Sequence, residues 1–324
     1  MKRPRLGWSL AGLVALLLLV GAGLVARSTQ QAVLEALHPK RRAATPAENG
    51  RAFALLPGVH EVSLRTSDGL TLGAWYAPGR RPAVVVLVHG LGANRARLLP
   101  EAHLLWQRGL GVLLYDSRAS GKSDGELATW GDLERRDVTA ALDFALAQPG
   151  IREAGLYGFA QGASAVALTD DPRVAAVALG ALWPTLTDEL DHRFNQWGPL
   201  SHAVARASAR AAGLHLDAVR PIDAFPRLAQ KPLFLMSGED DQETPLEIMD
   251  QLAALAPTAQ RWTAAGVGHG NFADVEQFNL DAHFGTFFDR VLAKEAAAAA
   301  PGPVGVPGPG TESAPGTPPA PVTP

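Results

Sequence analysis

The chain has no cysteine and no large excess of either charge. The absence of Cys from its 324 residues excludes disulfides, thiolate metal sites and a cysteine nucleophile together. The 29 lysines and arginines against 32 aspartates and glutamates leave a formal net charge of -3. Nothing in this balance indicates a nucleic-acid partner or a strongly acidic substrate. With 47% hydrophobic residues, the chain can bury a full-sized core.

The first segment combines a basic cluster with a long apolar run. Three of the first five residues are basic, and an uncharged apolar stretch follows from Leu6 to Ala26. As a helix, this stretch is about long enough to cross a ~30 Å hydrocarbon layer. Residues 1–27 are therefore predicted to be a signal anchor, with the following domain on the extracytoplasmic side. A cleaved signal peptide is the alternative, because Val20-Gly21-Ala22 offers small residues at the positions that a signal peptidase reads.

The rest of the chain divides by composition into three parts. Residues 28–57 are predicted to be a juxtamembrane linker, and residues 58–295 a single domain. Residues 296–324 are dominated at their end by proline, glycine, serine and threonine. A segment of this composition buries too little apolar surface to order itself, so a disordered tail is predicted.

Apolar, β-branched runs alternate with helical patterns through the central part. The runs predict seven strands, at Val59–Leu64, Leu70–Tyr76, Ala83–Val88, Val112–Tyr115, Gly155–Tyr157, Val174–Leu179 and Leu233–Met236. Helical segments are predicted between them, at Arg97–Arg108, Leu133–Ala147 and Gln161–Leu168. This alternation predicts an α/β fold, in which helices cover both faces of a mostly parallel sheet.

One interval, residues 181–230, has no strand run. It contains a helical pattern from Ser201 to Ala212, together with Trp183, Phe194 and Trp197. An insertion at this point of an α/β sheet lies above the carboxyl ends of the strands, where such sheets bind ligands. The interval is predicted to be a small helical cap. Packing over the sheet edge alone is the alternative.

A short turn motif follows the predicted strand at Gly155. Gly158-Phe159-Ala160-Gln161-Gly162 has the form of the Gly-x-Ser-x-Gly elbow, which lifts a serine hydroxyl above a sheet. The middle residue here is alanine. Its methyl group has no lone pair to attack a carbonyl and no proton to give to a base. Ser164 does not replace the missing hydroxyl, because it lies one helical turn, about 6 Å, further on.

Four further segments accompany the elbow in a fixed order. They are His89-Gly90-Leu91-Gly92, Asp116–Ser123, Ser237–Pro245 and Gly266–Phe272. With the elbow, they resemble the α/β-hydrolase superfamily, close in pattern to bacterial serine esterases, lysophospholipases and S33-type serine aminopeptidases. The resemblance covers roughly Val59 to Leu292 and implies an α/β-hydrolase fold.

The resemblance also implies roles for individual residues. The backbone N–H groups of Leu91 and Gln161 would form the oxyanion hole, which stabilises negative charge on a tetrahedral intermediate. Asp241 stands three residues after Gly238 and four before Pro245, as the family's acid does, and would orient His269 as the base. Gly158 and Gly162 would shape the elbow, Ala160 would occupy the nucleophile position, and His89 would only structure its turn. No cofactor is implied.

Two other groups of residues offer alternatives to this interpretation. Asp188, Asp191 and His192 have helical spacing and could share one face to chelate a divalent ion, but the exposed face of a cap helix is favoured. Gly121-Lys122-Ser123 resembles the end of a phosphate-binding loop, yet Asp116 stands where that loop needs a glycine. No metal site and no phosphate site are therefore predicted.

The missing hydroxyl leaves three functional hypotheses. The favoured one is a membrane-anchored pseudo-hydrolase, whose site binds an ester, an amide or a lipid-like ligand without turnover. The second is an active hydrolase, in which His269 and Asp241 activate a water in the vacated space. The third is a Ser-to-Ala form of an active serine hydrolase. In each case the predicted partners are a small molecule and the membrane, and not nucleic acid.

Overall fold

A computed structural model describes residues 5–270 and 272–298. The basic residues at positions 2 and 3, Asn271 and the predicted tail from residue 299 onward lie outside the described residues. Within the described part, eight strands form one sheet in the order β1-β2-β4-β3-β5-β6-β7-β8. The strands are β1 (His60–Arg65), β2 (Thr71–Ala77), β3 (Ala83–Val88), β4 (Gly111–Tyr115), β5 (Glu153–Phe159), β6 (Val174–Gly180), β7 (Leu233–Gly238) and β8 (Gln260–Ala264).

The sheet is antiparallel at one edge and parallel elsewhere. Strand β2 runs antiparallel to both β1 and β4, and every other neighbouring pair is parallel. All seven predicted strands are present, with ends shifted by at most two residues. The sequence prediction missed β8, because Gln260-Arg261-Trp262-Thr263-Ala264 lies at the sheet edge and alternates exposed with buried side chains.

Twelve α-helices accompany the strands in the described residues. They are α1 (Arg5–Leu37), α2 (Pro46–Leu55), α3 (Leu99–Gln107), α4 (Glu134–Leu146), α5 (Gln161–Leu168), α6 (Leu186–Arg193), α7 (Pro199–Ala211), α8 (Phe225–Leu228), α9 (Leu246–Ala254), α10 (Phe272–Val275), α11 (Gln277–Leu280) and α12 (Thr286–Ala298). A π-helical segment, Asp281–Gly285, leads into α12.

The strand β3 shows why the central strands are continuously apolar. All six of its residues are buried. Val85 and Leu87 pack into one apolar cluster with residues of α3 and α12, whereas Val84, Val86 and Val88 pack into a second with residues of α4, α5 and α9. Because helices cover both faces of the sheet, neither face of this strand tolerates a polar residue. The predicted α/β architecture is therefore confirmed.

The loop after β4 is structural, as predicted. The buried Asp116 side chain accepts hydrogen bonds from the N–H groups of Arg95, at 2.7 Å, and of Lys122, at 2.9 Å. A Cβ on Gly121 would lie 2.2 Å from the Asp116 carboxylate, so only glycine fits there. Two carboxylates hold the nearby Arg118 guanidinium, that of Asp137 at 2.6 Å and that of Asp68 at 2.9 Å.

The interval between β6 and β7 is entirely helical. It holds α6, α7 and α8 with three short 3₁₀ turns and no strand. Small buried residues of α7, Ala205 and Ala209, belong to a third apolar cluster with Leu186 and Leu190 of α6. This cluster is separate from the two that flank the sheet. We call residues 181–230 the cap from here on.

Helix α1 is longer than the predicted anchor. It continues to Leu37 through residues that the sequence prediction assigns to a linker. Thr29, Val33 and Leu37 are buried at four-residue intervals, and Val33 and Leu37 join the apolar cluster of the cap. Its other half is different, because an 18-residue window with mean hydropathy 2.3 has none of its residues buried. Length and composition qualify this half as a membrane span, and a signal sequence passes the same test.

We predict that Glu101, in the first turn of α3, makes folding stability depend on pH. Burial raises its carboxyl pKa from 4.5 to about 7, and its Oε2 atom has no hydrogen-bond partner. Between these pH values the folded chain holds a proton that the unfolded chain has lost. Stability contributed by this group is therefore present below pH ~4.5 and falls by up to about 3 kcal/mol as pH rises through 7.

Urea unfolding of Glu101→Gln between pH 4.5 and 8 checks this prediction. The neutral amide cannot titrate, so the free energy of unfolding of the variant should fall less with pH than that of the native chain. Glu247→Gln is the matched control, because Glu247 is an exposed carboxyl in the first turn of α9. Equal pH slopes for Glu101→Gln and the native chain would contradict the prediction.

Candidate functional site

The turn between β5 and α5 has a strained backbone at Ala160. Its φ is 50° and its ψ is -118°, a backbone conformation that residues other than glycine rarely adopt. Strain of this kind costs of order 1–3 kcal/mol and persists only where the surroundings fix it. Here the Ala160 N–H donates to the carbonyl of Gly180 at 2.9 Å, and its carbonyl accepts from the N–H groups of Ala163, at 2.9 Å, and Ser164, at 3.2 Å.

Two glycines let the chain pass through this turn. A Cβ on Gly158 would lie 2.4 Å from the carbonyl oxygen of Gly162, and a Cβ on Gly162 would lie 2.2 Å from that of Val88. No side chain fits in either place, since both obstacles are backbone atoms. The glycines of the predicted elbow thus have a steric reason, which is the close crossing of α5 over the ends of β5 and β3.

The turn after β3 lies directly beside Ala160. A Cβ placed on Gly90 would meet the Ala160 methyl carbon at 3.2 Å. Gln161 is the first residue of α5, so its N–H has no acceptor four residues back in the helix. Leu91 and Gln161, the predicted oxyanion pair, line the same groove together with Gly90 and Ala160.

His89 stabilises this turn from below. Its buried ring lies 2.8 Å from the carbonyl oxygen of Gly90 through Nδ1, and its Nε2 accepts from the N–H of Ser117 at 3.1 Å. Burial lowers the pKa of the imidazole, which keeps Nε2 available as an acceptor. His89 therefore joins two loops and does not face the groove.

The predicted acid and base lie within hydrogen-bond distance of each other. His269 Nδ1 is 2.9 Å from Asp241 Oδ2 and 3.1 Å from Oδ1. The N–H groups of Glu243 and Thr244 donate to Asp241 Oδ1 at 2.9 and 2.8 Å, so the backbone fixes the position of the carboxylate independently of the ring. Asp240 beside it is exposed. Asp241 binds Nδ1, so the other ring nitrogen, Nε2, has no hydrogen bond to this carboxylate.

A two-lobed groove joins these elements. One lobe, of about 320 Å³, reaches the cap at Trp183 and His192, and the other, of about 200 Å³, reaches Gly90 and Leu91. Both lobes share five lining residues, namely Ala160, Glu189, Arg193, Glu243 and His269. The methyl group of Ala160 and the ring of His269 therefore face the same space.

The sequence prediction missed the charged residues of the groove. Glu189 on α6 accepts a hydrogen bond from Trp130 Nε1 at 2.8 Å, and burial raises its pKa although Arg193 acts in the opposite direction. Glu243 Oε2 lies 3.9 Å from His269 Nε2. Arg97 donates to the carbonyl of Gly270 and so connects the oxyanion side with the histidine loop. No motif marks Glu189 or Arg97, because only the fold brings them to the groove, and Glu243 lies within the Ser237–Pro245 segment, where the sequence assigned it no role.

Glu134 is a second residue that the motifs did not reveal. Its buried carboxylate accepts from the N–H groups of Thr129 and Gly131, at 2.7 and 2.8 Å, and from the Thr129 hydroxyl at 2.6 Å. The Gln161 side chain donates to the same carboxylate at 3.2 Å. Glu134 thus fixes a loop against one of the predicted oxyanion residues.

The alternative sites do not assemble. Asp188 is bound to Thr185 and Asp191 to Arg206, while His192 Nε2 lies 2.9 Å from the carbonyl oxygen of Gln242. Within residues 5–270 and 272–298, no group of three His, Asp or Glu residues is arranged to hold a metal ion. Ser164 is buried in α5, behind the turn.

Comparison with known proteins agrees with this geometry. Residues 79–183 match the model of a family described as serine aminopeptidase, S33. An uncharacterized protein of Mycobacterium tuberculosis strain H37Rv is 29% identical over 228 residues, covering 68% of this chain and 75% of that protein. A polyketide transferase of Stachybotrys chlorohalonatus is 34% identical over 192 residues, covering 56% of this chain and 58% of that one.

A solved structure shows the same architecture. An esterase of Pyrococcus furiosus matches with a TM-score of 0.66 at 20% identity, covering 79% of this chain and 98% of the esterase. At this identity the likeness establishes the fold and leaves activity open. The sheet order, the elbow and the matched region agree, and the chain has the α/β-hydrolase fold.

Proposed function

We propose that this chain is a membrane-anchored pseudo-hydrolase, which binds an ester-, amide- or lipid-like ligand in its groove without efficient turnover. One observation carries the proposal. Ala160 occupies the strained elbow between Gly158 and Gly162, where the crossing of α5 leaves no room for a side chain on either glycine. Its methyl group lines the same groove as His269. Residue 160 has the backbone geometry of a nucleophile position, but alanine has no hydroxyl oxygen.

The missing atom is decisive for acyl-enzyme chemistry. In that mechanism a hydroxyl oxygen attacks the carbonyl, and the histidine takes its proton. Loss of the serine from a comparable triad in subtilisin costs about 10⁶ in kcat, because the three residues act as a unit. Binding to the backbone donors is unaffected by that loss. A groove that keeps Asp241, His269 and both turns is therefore suited to hold a carbonyl ligand.

The size and lining of the groove support a small ligand. A lobe of about 320 Å³ is at the lower end of the range for small-molecule sites. Trp183 and the Ala160 and Ala181 methyl groups supply apolar contacts, while Arg193 supplies donors. One relative is named a polyketide transferase, and this name supports a polyketide or similar acyl-bearing ligand here.

Helix α1 supports the membrane part of the proposal. The exposed large side chains of its first half are leucines and valines, from Leu10 to Leu24, and water is a poor solvent for such a surface. We propose that residues up to about 26 cross the bilayer and that the domain lies on the extracytoplasmic side. The basic amino-terminal cluster favours this orientation.

Activated water is the second candidate function. Asp241 holds Nδ1 of His269, so the unbonded lone pair of the ring is at Nε2, the atom that a general base uses. A water beside the Ala160 methyl would lie where a serine oxygen belongs. A Ser-to-Ala form of an active enzyme has the same geometry, and the natural gene sequence distinguishes it.

We predict that Ala160→Ser creates an esterase. The remaining site residues are in place, so hydrolysis of a short-chain nitrophenyl ester should rise by at least about 10³-fold over the native chain. Ala160→Ser/His269→Ala should return to the native rate, since the new hydroxyl then lacks its base. If Ala160→Ser gives no gain, the rest of the site does not support this chemistry.

The native chain itself separates the two candidate functions. A pseudo-hydrolase should release nitrophenol at the background rate, with or without His269→Ala. Clear turnover that disappears in His269→Ala would contradict the pseudo-hydrolase proposal and support activated water. Labelling of the native chain by a fluorophosphonate probe would reveal a different reactive serine.

We further predict that Ala160→Gly stabilises the protein without making it an enzyme. Glycine adopts φ near +50° without the clash that an L side chain suffers. The gain from this relief is offset by the greater flexibility of glycine in the unfolded chain, and a net rise of about 1 kcal/mol is expected. Thermal unfolding with a nitrophenyl ester assay checks both parts, with Ala163→Gly, inside α5, as the destabilising control.

A further inference from the structure

We infer that the end of the cap at Trp197 and Leu200 lies in the surface of the lipid bilayer and that the groove therefore takes its ligand from the membrane. The inference rests on the proposed anchoring through α1. It begins from the packing of α1 on the cap, which leaves no flexible linker between the apolar run and the folded domain.

The first step is that α1 and α7 pack along their lengths. The two helices are in contact, and the buried side of α7 is made of small residues, Ser201, Ala205, Ser208 and Ala209. Small side chains let two helix backbones approach closely. On α1, Ala22, Val25 and Ala26 are half-buried and continue the stripe of Thr29, Val33 and Leu37 toward the apolar run.

The second step is that the two helices run in the same direction. At the end of α1, the carbonyl of Leu37 accepts from the N–H of Ala128 at 2.8 Å. Beyond the end of α7, His215 Nδ1 lies 3.2 Å from Asp132 Oδ2. The carboxyl end of α1 and the turn that follows α7 thus contact the same short loop, residues 126–132. The amino end of α7 must then point back along α1 toward the apolar run.

The third step fixes the level at which the cap meets the bilayer. Helix α7 extends from Pro199 to Ala211, about 18 Å at ~1.5 Å per residue. The same length measured back from Leu37 along α1 ends near Val25, next to Ala26, where the apolar run ends. Trp197 and Leu200 lie at this level, and they are 62% and 44% exposed. Trp is favoured in the headgroup region, where its ring is half in lipid and half in water.

The groove opens close to this end of the cap. Arg193 and Glu189 of α6 line both lobes, and α6 is followed at once by the turn Asn195–Trp197. Trp197 lies four positions after Arg193, a span of at most about 14 Å. Hydrogen bonds from Arg206 to Asp191 and between His202 and Asn195 hold α7 against α6. The ligand class that fits this placement is an acyl lipid that enters from the adjacent leaflet.

The absence of cysteine makes a direct test straightforward. Gln196→Cys places one unique thiol beside Trp197 without removing it, and Ala211→Cys places one at the other end of α7. Both positions are exposed. Leu17→Cys, in the exposed apolar half of α1, reports on the anchor itself. Each full-length variant is spin-labelled and reconstituted in vesicles of phosphatidylethanolamine and phosphatidylglycerol, and collisions with oxygen and with a water-soluble nickel chelate are measured.

The expected result is an oxygen-to-nickel accessibility ratio several-fold higher at residue 196 than at residue 211, with a high ratio at residue 17. Replacing Trp197 and Leu200 by serine in the Gln196→Cys background should lower the ratio at residue 196, because the contact with lipid is lost. A high ratio at residue 17 with equal, water-like ratios at 196 and 211 would overturn the inference and leave the anchor intact.

Two other outcomes also overturn it. A water-like ratio at residue 17 would show that α1 does not cross the bilayer, and the anchoring part of the proposed function would fail with it. Shielding of residue 196 from both reagents, with dipolar broadening between labels, would show that a second copy of the chain covers Trp197 and Leu200.

Discussion

The crossing of α5 over the ends of β5 and β3 is the contact on which the site depends. At this point backbone meets backbone, since a methyl group on Gly162 would overlap the carbonyl oxygen of Val88. The crossing forces the residue between the glycines into a positive φ, and it aims that residue into the groove. The other parts of the site lie around Ala160. The turn after β3 lies on one side of it and the loop of His269 on the other.

The strained backbone at residue 160 costs free energy whichever residue occupies the turn. Alanine gains nothing chemical from a strained conformation, whereas a serine would be exposed by it. The hydrogen bonds of Ala160 to Gly180, Ala163 and Ser164 maintain the geometry regardless of the side chain. Strain of this kind is therefore a property of the fold and not of the residue. The turn has the geometry of a nucleophile elbow, whichever side chain occupies it.

The sequence predicted those parts of the molecule whose physical cause is local. Buried β-branched runs predicted the central strands, and the resemblance to the α/β-hydrolase motifs implied Asp241, the carboxyl that contacts His269, in preference to its exposed neighbour Asp240. The same patterns failed where burial depends on distant partners. Residues 28–37 look polar, with Gln30, Gln31 and Glu35, yet every fourth residue is buried on a cap that lies far away in sequence. Glu189 and Arg193 reach the groove only through the path of the cap, for which no motif exists.

A short segment, residues 126–134, touches three parts of the molecule, and its last residue, Glu134, begins α4. Its Ala128 N–H binds the end of α1, its Trp130 holds Glu189 of the cap, and its Glu134 holds the Gln161 side chain at the elbow. Because all three contacts are made by this one segment, a substitution that shifts it would disturb the end of α1, the cap and the Gln161 side chain together.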